Sequence, residues 1–233
     1  MIPIYDDNPT RSFPLLTITF IACNIAAFIF EVTREPGELS ALIVTYGFVP
    51  ARFFAEPLST GNLFSLLTAM FLHGGWLHLG GNMLYLWIFG NNIEDRLGKL
   101  RFVAFYLGCG VLASLAQAFI DPASTVPLVG ASGAIAGVLG AYLVLYPRAR
   151  VVAVIPIFFI IELATIPAVF VIGLWFLLQL AQGIGSIGMM SGVAWWAHVG
   201  GFVAGMLAVA PLAASDLIRR ARDRRRRRRR SAT

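Results

Sequence analysis

Charge is scarce in this chain. Only 13% of the residues are Asp, Glu, Lys or Arg, against 58% apolar. That balance excludes a water-soluble domain and places the sequence among polytopic membrane proteins. Cysteine is nearly absent too. Cys23 and Cys109 both lie in apolar runs, so there is no disulfide framework and no Cys/His zinc spacing, and both read as small packing residues. No internal repeat and no continuous polar pathway are present, which disfavours a transporter or channel. No small-residue cleavage site follows the first apolar run, Phe13–Phe30. That run is also too long for the apolar core of a signal peptide, so it reads as a retained span.

The 233 residues are enough for about six spans of roughly 20 residues each. The expected fold class is all-α, a bundle of six transmembrane helices. The expected spans are Phe13–Phe30, Trp76–Ile93, Phe102–Ile120, Val129–Tyr146, Val151–Leu180 and Ala194–Ala214. Asn62–Leu72 is shorter and fits an interfacial or re-entrant helix. The fifth run carries Pro156 and Pro167 and is expected to be kinked or tilted. The net charge of +6 is a local matter, because ten arginines lie between Arg219 and Arg230. Residues 215–233 therefore read as a disordered basic cytoplasmic tail whose fitting partner is anionic lipid. Nucleic acid is disfavoured, since no aromatic residue interleaves the arginines. Basic residues also set the orientation. With residues 1–12 in the cytoplasm, Arg11, Arg96, Lys99, Arg101, Arg148, Arg150 and the tail fall inside, and only Arg34 and Arg52 outside. The predicted topology is N-in, C-in, with residues 13–214 as the membrane domain of an integral, multi-pass protein.

Given that topology, spans two, four and six all start from the outer face. His78 and Asn82, the Gly130–Gly133 turn with Ser132, and His198 then lie within roughly 10 Å of one another in depth. Ser132 sits at a helix N-terminus, where unpaired N–H groups form an oxyanion site. The same glycine-flanked turn also suits a plain packing helix whose serine bonds its own backbone. Gly137 extends a bare face along span four, and Gly201 and Gly205 make a G-x-x-x-G pair on the face of span six that carries His198. A neutral imidazole beside a serine is a competent general base. A histidine satisfied by a backbone carbonyl is the bland alternative. His78 and Asn82 share one helix face and could donate to an oxyanion. Metal binding by His73, His78 and His198 is the competing idea. No Asp or Glu is placed to orient His198, which favours a Ser–His dyad over a triad. Glu162 is expected near mid-membrane in a structural role. Glu94, Asp95 and Arg96 read as a helix-ending polar network, and the glycine-rich segment 183–192 as a lid or a flexible connection.

These residues resemble the rhomboid family of intramembrane serine proteases. The matches are His78-x-x-x-Asn82 in span two, Gly130-x-Ser132-Gly133 opening span four, and His198-x-x-Gly201-x-x-x-Gly205 in span six, with the Gly90–Gly98 segment as a further likeness. The resemblance covers Asn62–Leu212. It implies Ser132 as nucleophile, His198 as general base, and oxyanion stabilisation by the Ser132 N–H, in the turn between Gly130 and Gly133, with His78 and Asn82. It implies single-span membrane proteins as substrates, cut near the outer face, and no metal or organic cofactor. The six-span form resembles prokaryotic members and so implies a bacterial cytoplasmic membrane. Oligomeric state is left open. A catalytically silent relative that binds membrane clients is the alternative. The loop Glu31–Gly75 lacks the Trp-Arg pair that many members carry, so the resemblance does not fix its conformation.

Overall fold

Proline and glycine punctuate an otherwise continuous apolar sequence, and the helices start and stop at them. In the computed structural model, which describes residues 1–157, 160–187 and 192–230, Pro14 precedes α1 (Leu15–Val32), Pro36 opens α2 (Pro36–Tyr46) and Pro50 opens α3 (Pro50–Ala55). Proline is suited to a helix start, because the N–H it lacks would have had no partner there. Helix α4 (Thr60–Thr68) is capped by the Ser59 side chain, which accepts from the Asn62 N–H, and runs into a 3₁₀ turn, Ala69–Phe71. The chain then turns by 82° into a helical run made of α5 (Trp76–Tyr85), a π-turn (Leu86–Gly90) and α6 (Asn91–Leu97). That sharp bend fits the re-entrant expectation for Asn62–Leu72. Gly98 separates this run from α7 (Lys99–Ile120), and α8 (Ser132–Leu145), α9 (Ala168–Gly185) and α10 (Trp195–Arg230) complete the helices.

By length and composition, α1, α7, α9 and the Trp195–Asp216 part of α10 can each cross a membrane, and the bent pair makes five. Their outward faces carry exposed Leu112, Phe170, Leu177 and Leu207, a surface suited to hydrocarbon and costly in water. Helix α8 is different. Its 14 residues span only ~21 Å, so the expected Val129–Tyr146 span is shortened at its start by the loop that delivers Ser132. Between Gly133 and Tyr142 the helix is buried throughout, with neighbours on every side.

Two expectations need correction. The fold is not purely α-helical, and Val151–Leu180 is not one span. Its first half forms the hairpin β2 (Arg150–Ile157) and β3 (Ile160–Pro167), and β1 (Ile2–Asp6) adds antiparallel to β2, giving the order β1-β2-β3. The register pairs Val151 with Ile166, Ile155 with Glu162 and Ile2 with Val154. The cause lies in side-chain chemistry. The segment is dominated by β-branched Val and Ile, which favour extended chain, and a proline inside a helix costs about 3 kcal/mol. Pro156 lies beyond the reach of β1, whose pairing ends at Val154, so its missing N–H breaks no ladder there. Glu162 is therefore exposed on β3 and not in mid-bundle. Of the run expected as the fifth span, Ala168–Gly185 is the helix long and apolar enough to cross a membrane.

A third correction concerns the arginine tail. Expected as disordered from residue 215, its backbone instead continues α10 as helix through Arg230. Arginine is a good helix former, and nothing after Pro211 interrupts the helix. Arg96 of α6 forms an ion pair with Asp216 and so ties α10 to the end of α6.

Polar side chains fix how the elements join. The Glu94 carboxylate accepts from the N–H groups of Leu16 and Thr17 and from the Thr17 hydroxyl. A buried anion thus satisfies the unpaired donors at the start of α1, a structural role in line with the sequence reading. Arg52 organises the Glu31–Gly75 loop. Its guanidinium donates to the carbonyls of Val44 and Gly47 and to Asn62 Oδ1, while Asn62 Nδ2 returns bonds to the carbonyls of Arg52 and Glu56. Phe48, fully buried, pairs through its backbone with Leu128, which connects this loop to the turn before Ser132.

Candidate functional site

The seam between α8 and α10 is built from absent side chains. A Cβ on Gly201 would lie 2.1 Å from the Gly133 carbonyl oxygen, one on Gly205 1.9 Å from that of Gly137, and one on Gly140 2.1 Å from that of Phe202. Only backbone against backbone fits at such separations. The two helices therefore meet along the glycine faces read in the sequence, and side chains at their starts are forced together. Ser132, the first residue of α8, has its Oγ 2.9 Å from His198 Nε2.

The opposite side of the imidazole is held by a residue the sequence reading missed. His198 Nδ1 lies 2.6 Å from Oε1 of Gln179, a buried residue of α9. An amide oxygen only accepts, so Nδ1 carries the proton and Nε2 is left to accept from the serine hydroxyl. Trp175, one turn earlier on the same face of α9, packs its ring 6.0 Å from the imidazole, and Trp195 meets it edge-on at 6.1 Å. Neutral Gln179 stands in an apolar run without periodicity, so the sequence carries no signal for it.

Gly130 positions the third cluster. Its N–H donates to the Ala69 carbonyl, and its φ of +125° is a conformation that suits glycine. A Cβ there would be 2.8 Å from both Cε1 and Nε2 of His78 and 3.6 Å from Ser132 Oγ. His78 and Ser132 thus flank the same glycine. His78 Nδ1 accepts from the Gly74 N–H at 3.3 Å, which puts the ring proton on Nε2, the nitrogen beside Gly130. An N–H donor next to the N-terminus of α8 can stabilise a developing oxyanion.

Asn82, expected at the oxyanion site, bonds the neighbouring His73. Its Nδ2 donates to His73 Nε2 at 3.0 Å, and His73 Nδ1 bonds the Phe71 carbonyl. Both ring nitrogens of His73 are therefore occupied. Its backbone N–H donates to the buried Glu31 carboxylate, and its ring meets that of His78 edge-on at 5.1 Å. Asn82 and Glu31 thus fix His73, and His73 walls in His78. Among the described residues no group of three or more His, Cys, Asp or Glu is placed to hold a metal.

A cavity of about 530 Å³ opens at this end of the bundle, lined in part by His78, Gln117, Val126, Ala194 and Trp196. A recess of about 30 Å³ containing Ser132 and Gly133 shares Leu128, Val129 and Ala194 with it, and has room for about one water molecule. Part of the expected lid, residues 188–191, lies outside the described residues.

Fold and site together define a mainly helical membrane protein with a serine and a histidine in contact at one end of its bundle. Residues 60–215 match the model of the rhomboid domain. The chain belongs to the rhomboid family. It is 35% identical over 130 residues to the rhomboid protease GluP of Bacillus subtilis, covering 56% of this chain and 24% of that protein. To the putative rhomboid protease YdcA of the same organism it is 37% identical over 86 residues, covering 37% of this chain and 43% of that protein. To the bovine mitochondrial presenilin-associated rhomboid-like protein it is 32% identical over 146 residues, covering 61% of this chain and 36% of that protein. The chain thus spans less than half the length of each of these relatives.

Proposed function

We propose that this protein is an intramembrane serine endopeptidase working with a Ser132–His198 dyad. The observation that carries the reading is the 2.9 Å contact of Ser132 Oγ with an imidazole nitrogen left free to accept its proton. His198 Nε2 takes the hydroxyl proton as Oγ attacks the scissile carbonyl, then delivers it to the leaving amine. The oxyanion is held by the Ser132 backbone N–H and by His78 Nε2–H. The acyl-enzyme is hydrolysed by a water admitted to the recess beside Ser132, with His198 again as base. Asn82 supports this site through His73, and its amide keeps a second N–H that can donate to the oxyanion.

Substrates are transmembrane segments of other proteins, reaching the 530 Å³ cavity at the outer face. The N-in, C-in topology is kept, with α1, Trp76–Leu97, α7, α8, α9 and α10 as six membrane helices in a bacterial cytoplasmic membrane. The arginine-rich end of α10 binds anionic lipid at the cytoplasmic surface. A fluorophosphonate probe tests the reading, because it labels only an activated serine. Labelling that maps to Ser132 and is lost in His198→Ala supports the dyad. A folded protein whose Ser132 stays unlabelled contradicts it and favours a silent client-binding role.

A further inference from the structure

We infer that Gln179 is a positioning residue of the reaction, the third member of a Ser132–His198–Gln179 relay in which a neutral amide does the work a carboxylate does in a triad. The inference rests on the hydrolase reading above and deepens it.

Three observations carry it. The Oε1–Nδ1 separation of 2.6 Å is shorter than the 2.9 Å between His198 and Ser132, so the imidazole is anchored at least as firmly on the α9 side as on the serine side. Gln179 is buried, and with Trp175 at i−4 it forms a single face of α9 directed at His198. Among the described residues, Gln179 and Ser132 are the side chains bonded to the ring. Trp175 and Trp195 pack against it with carbon. Without Gln179, the ring could turn over or place its proton on Nε2. In either case the serine would face a donor instead of a base, and attack would stall.

The chemistry balances without any added group. In the resting site the Nδ1 proton is donated to the Gln179 oxygen. During attack the serine proton moves to Nε2, giving an imidazolium whose Nδ1–H stays bonded to the amide. When the amine leaves, Nε2 returns that proton. Gln179 gives up and receives nothing. It selects the tautomer and holds the ring in plane with the serine hydroxyl. Being uncharged, it avoids the cost of a bare carboxylate in a membrane-embedded site.

Gln179→Met keeps the side-chain length and removes the acceptor, whereas Gln179→Glu keeps an acceptor. With purified full-length protein and a single-span reporter in liposomes, Gln179→Met should lower kcat about 10- to 100-fold with KM little changed, and Gln179→Glu should recover most of that loss. Wild-type kcat in Gln179→Met overturns the inference. So does a change confined to KM, which would make Gln179 a substrate contact, or an equal loss in both variants, which would make it a packing residue. A second measurement is independent of cleavage and of how the Gln179 variants fold. Histidine ¹⁵N NMR of the wild-type protein, with His198 assigned by the His198→Ala spectrum, should show the proton on Nδ1. A proton on Nε2 overturns the relay. If Ser132→Ala still cleaves the reporter while the Nδ1 tautomer is present, the reading of Ser132 as nucleophile fails and the Gln179–His198 bond stands without it.

Discussion

Gly205→Ala places a single methyl group where the fold has no room. The new Cβ would lie 1.9 Å from the Gly137 carbonyl oxygen, 2.5 Å from its carbon and 2.6 Å from its Cα. Ordinary carbon contacts are about 3.5 Å or more, so α8 and α10 must separate by roughly 1.5 Å at this level. Neither side offers a flexible side chain that could yield, because both contacting surfaces are backbone. Overpacking of this kind costs about 1–3 kcal/mol, or roughly 2–12 °C in Tm for a chain of this size. The same seam sets the Ser132–His198 distance two turns away. A shift of even 1 Å there would break the 2.9 Å contact and should reduce kcat about 100-fold. Gly173→Ala is the control, since a Cβ at Gly173 meets nothing within 4 Å, and alanine in a helix is favoured by about 1 kcal/mol. The assay is thermal unfolding of the detergent-solubilised protein beside reporter cleavage. Gly205→Ala with wild-type Tm and kcat would refute the claim that glycine-to-backbone contact aligns the site.

Other perturbations follow from the same contacts. Gly130→Ala adds a left-handed-region penalty at φ +125° to a Cβ 2.8 Å from His78, and should cut kcat about 100-fold while leaving Ser132 in place; full activity would remove His78 from the oxyanion site. Glu94→Gln takes the charge from the cap of α1 and should cost about 1–2 kcal/mol, read as a lower Tm with unchanged KM. Burial raises the Asp6 carboxyl above its ordinary value of 3.8, against the opposing bond from Tyr142. The folded protein therefore holds this proton more tightly than the unfolded chain, so stability should fall as pH rises from about 3.8 through the raised value and then level off. Asp6→Asn should remove that component from a Tm–pH series, and an unaltered series would assign the dependence elsewhere.

The sequence made the site legible to the extent that backbone and spacing determine it. Ser132, His198, Gly130, Gly133, Gly137, Gly201 and Gly205 were readable because small residues at helical intervals dictate which faces can touch, whatever their neighbours do. For Asn82 the bond to His73 was not legible, for the opposite reason. Its helix face was clear, but the choice between His73 and the reaction centre depends on rotamers and on the conformation of the loop after Phe71. Gln179 was hidden because an uncharged polar residue in an apolar helix gives no periodic signal. The hairpin was missed because a long apolar run satisfies the length test for a span equally well as strand or helix. The β-branched residues flanking Pro156 and Pro167 were the discriminating signal. Arg52 shows the same limit, since its three bonded acceptors come from a loop whose shape no motif specified.

Cleavage of a single-span reporter by the purified protein in liposomes, wild type beside Ser132→Ala, tests the central claim most directly. Specific cleavage by the wild type that vanishes in Ser132→Ala, with the variant folded as judged by its Tm, is the predicted result. Cleavage that survives in Ser132→Ala would contradict the account, because no other described residue stands within hydrogen-bonding reach of His198 Nε2 to act as the nucleophile.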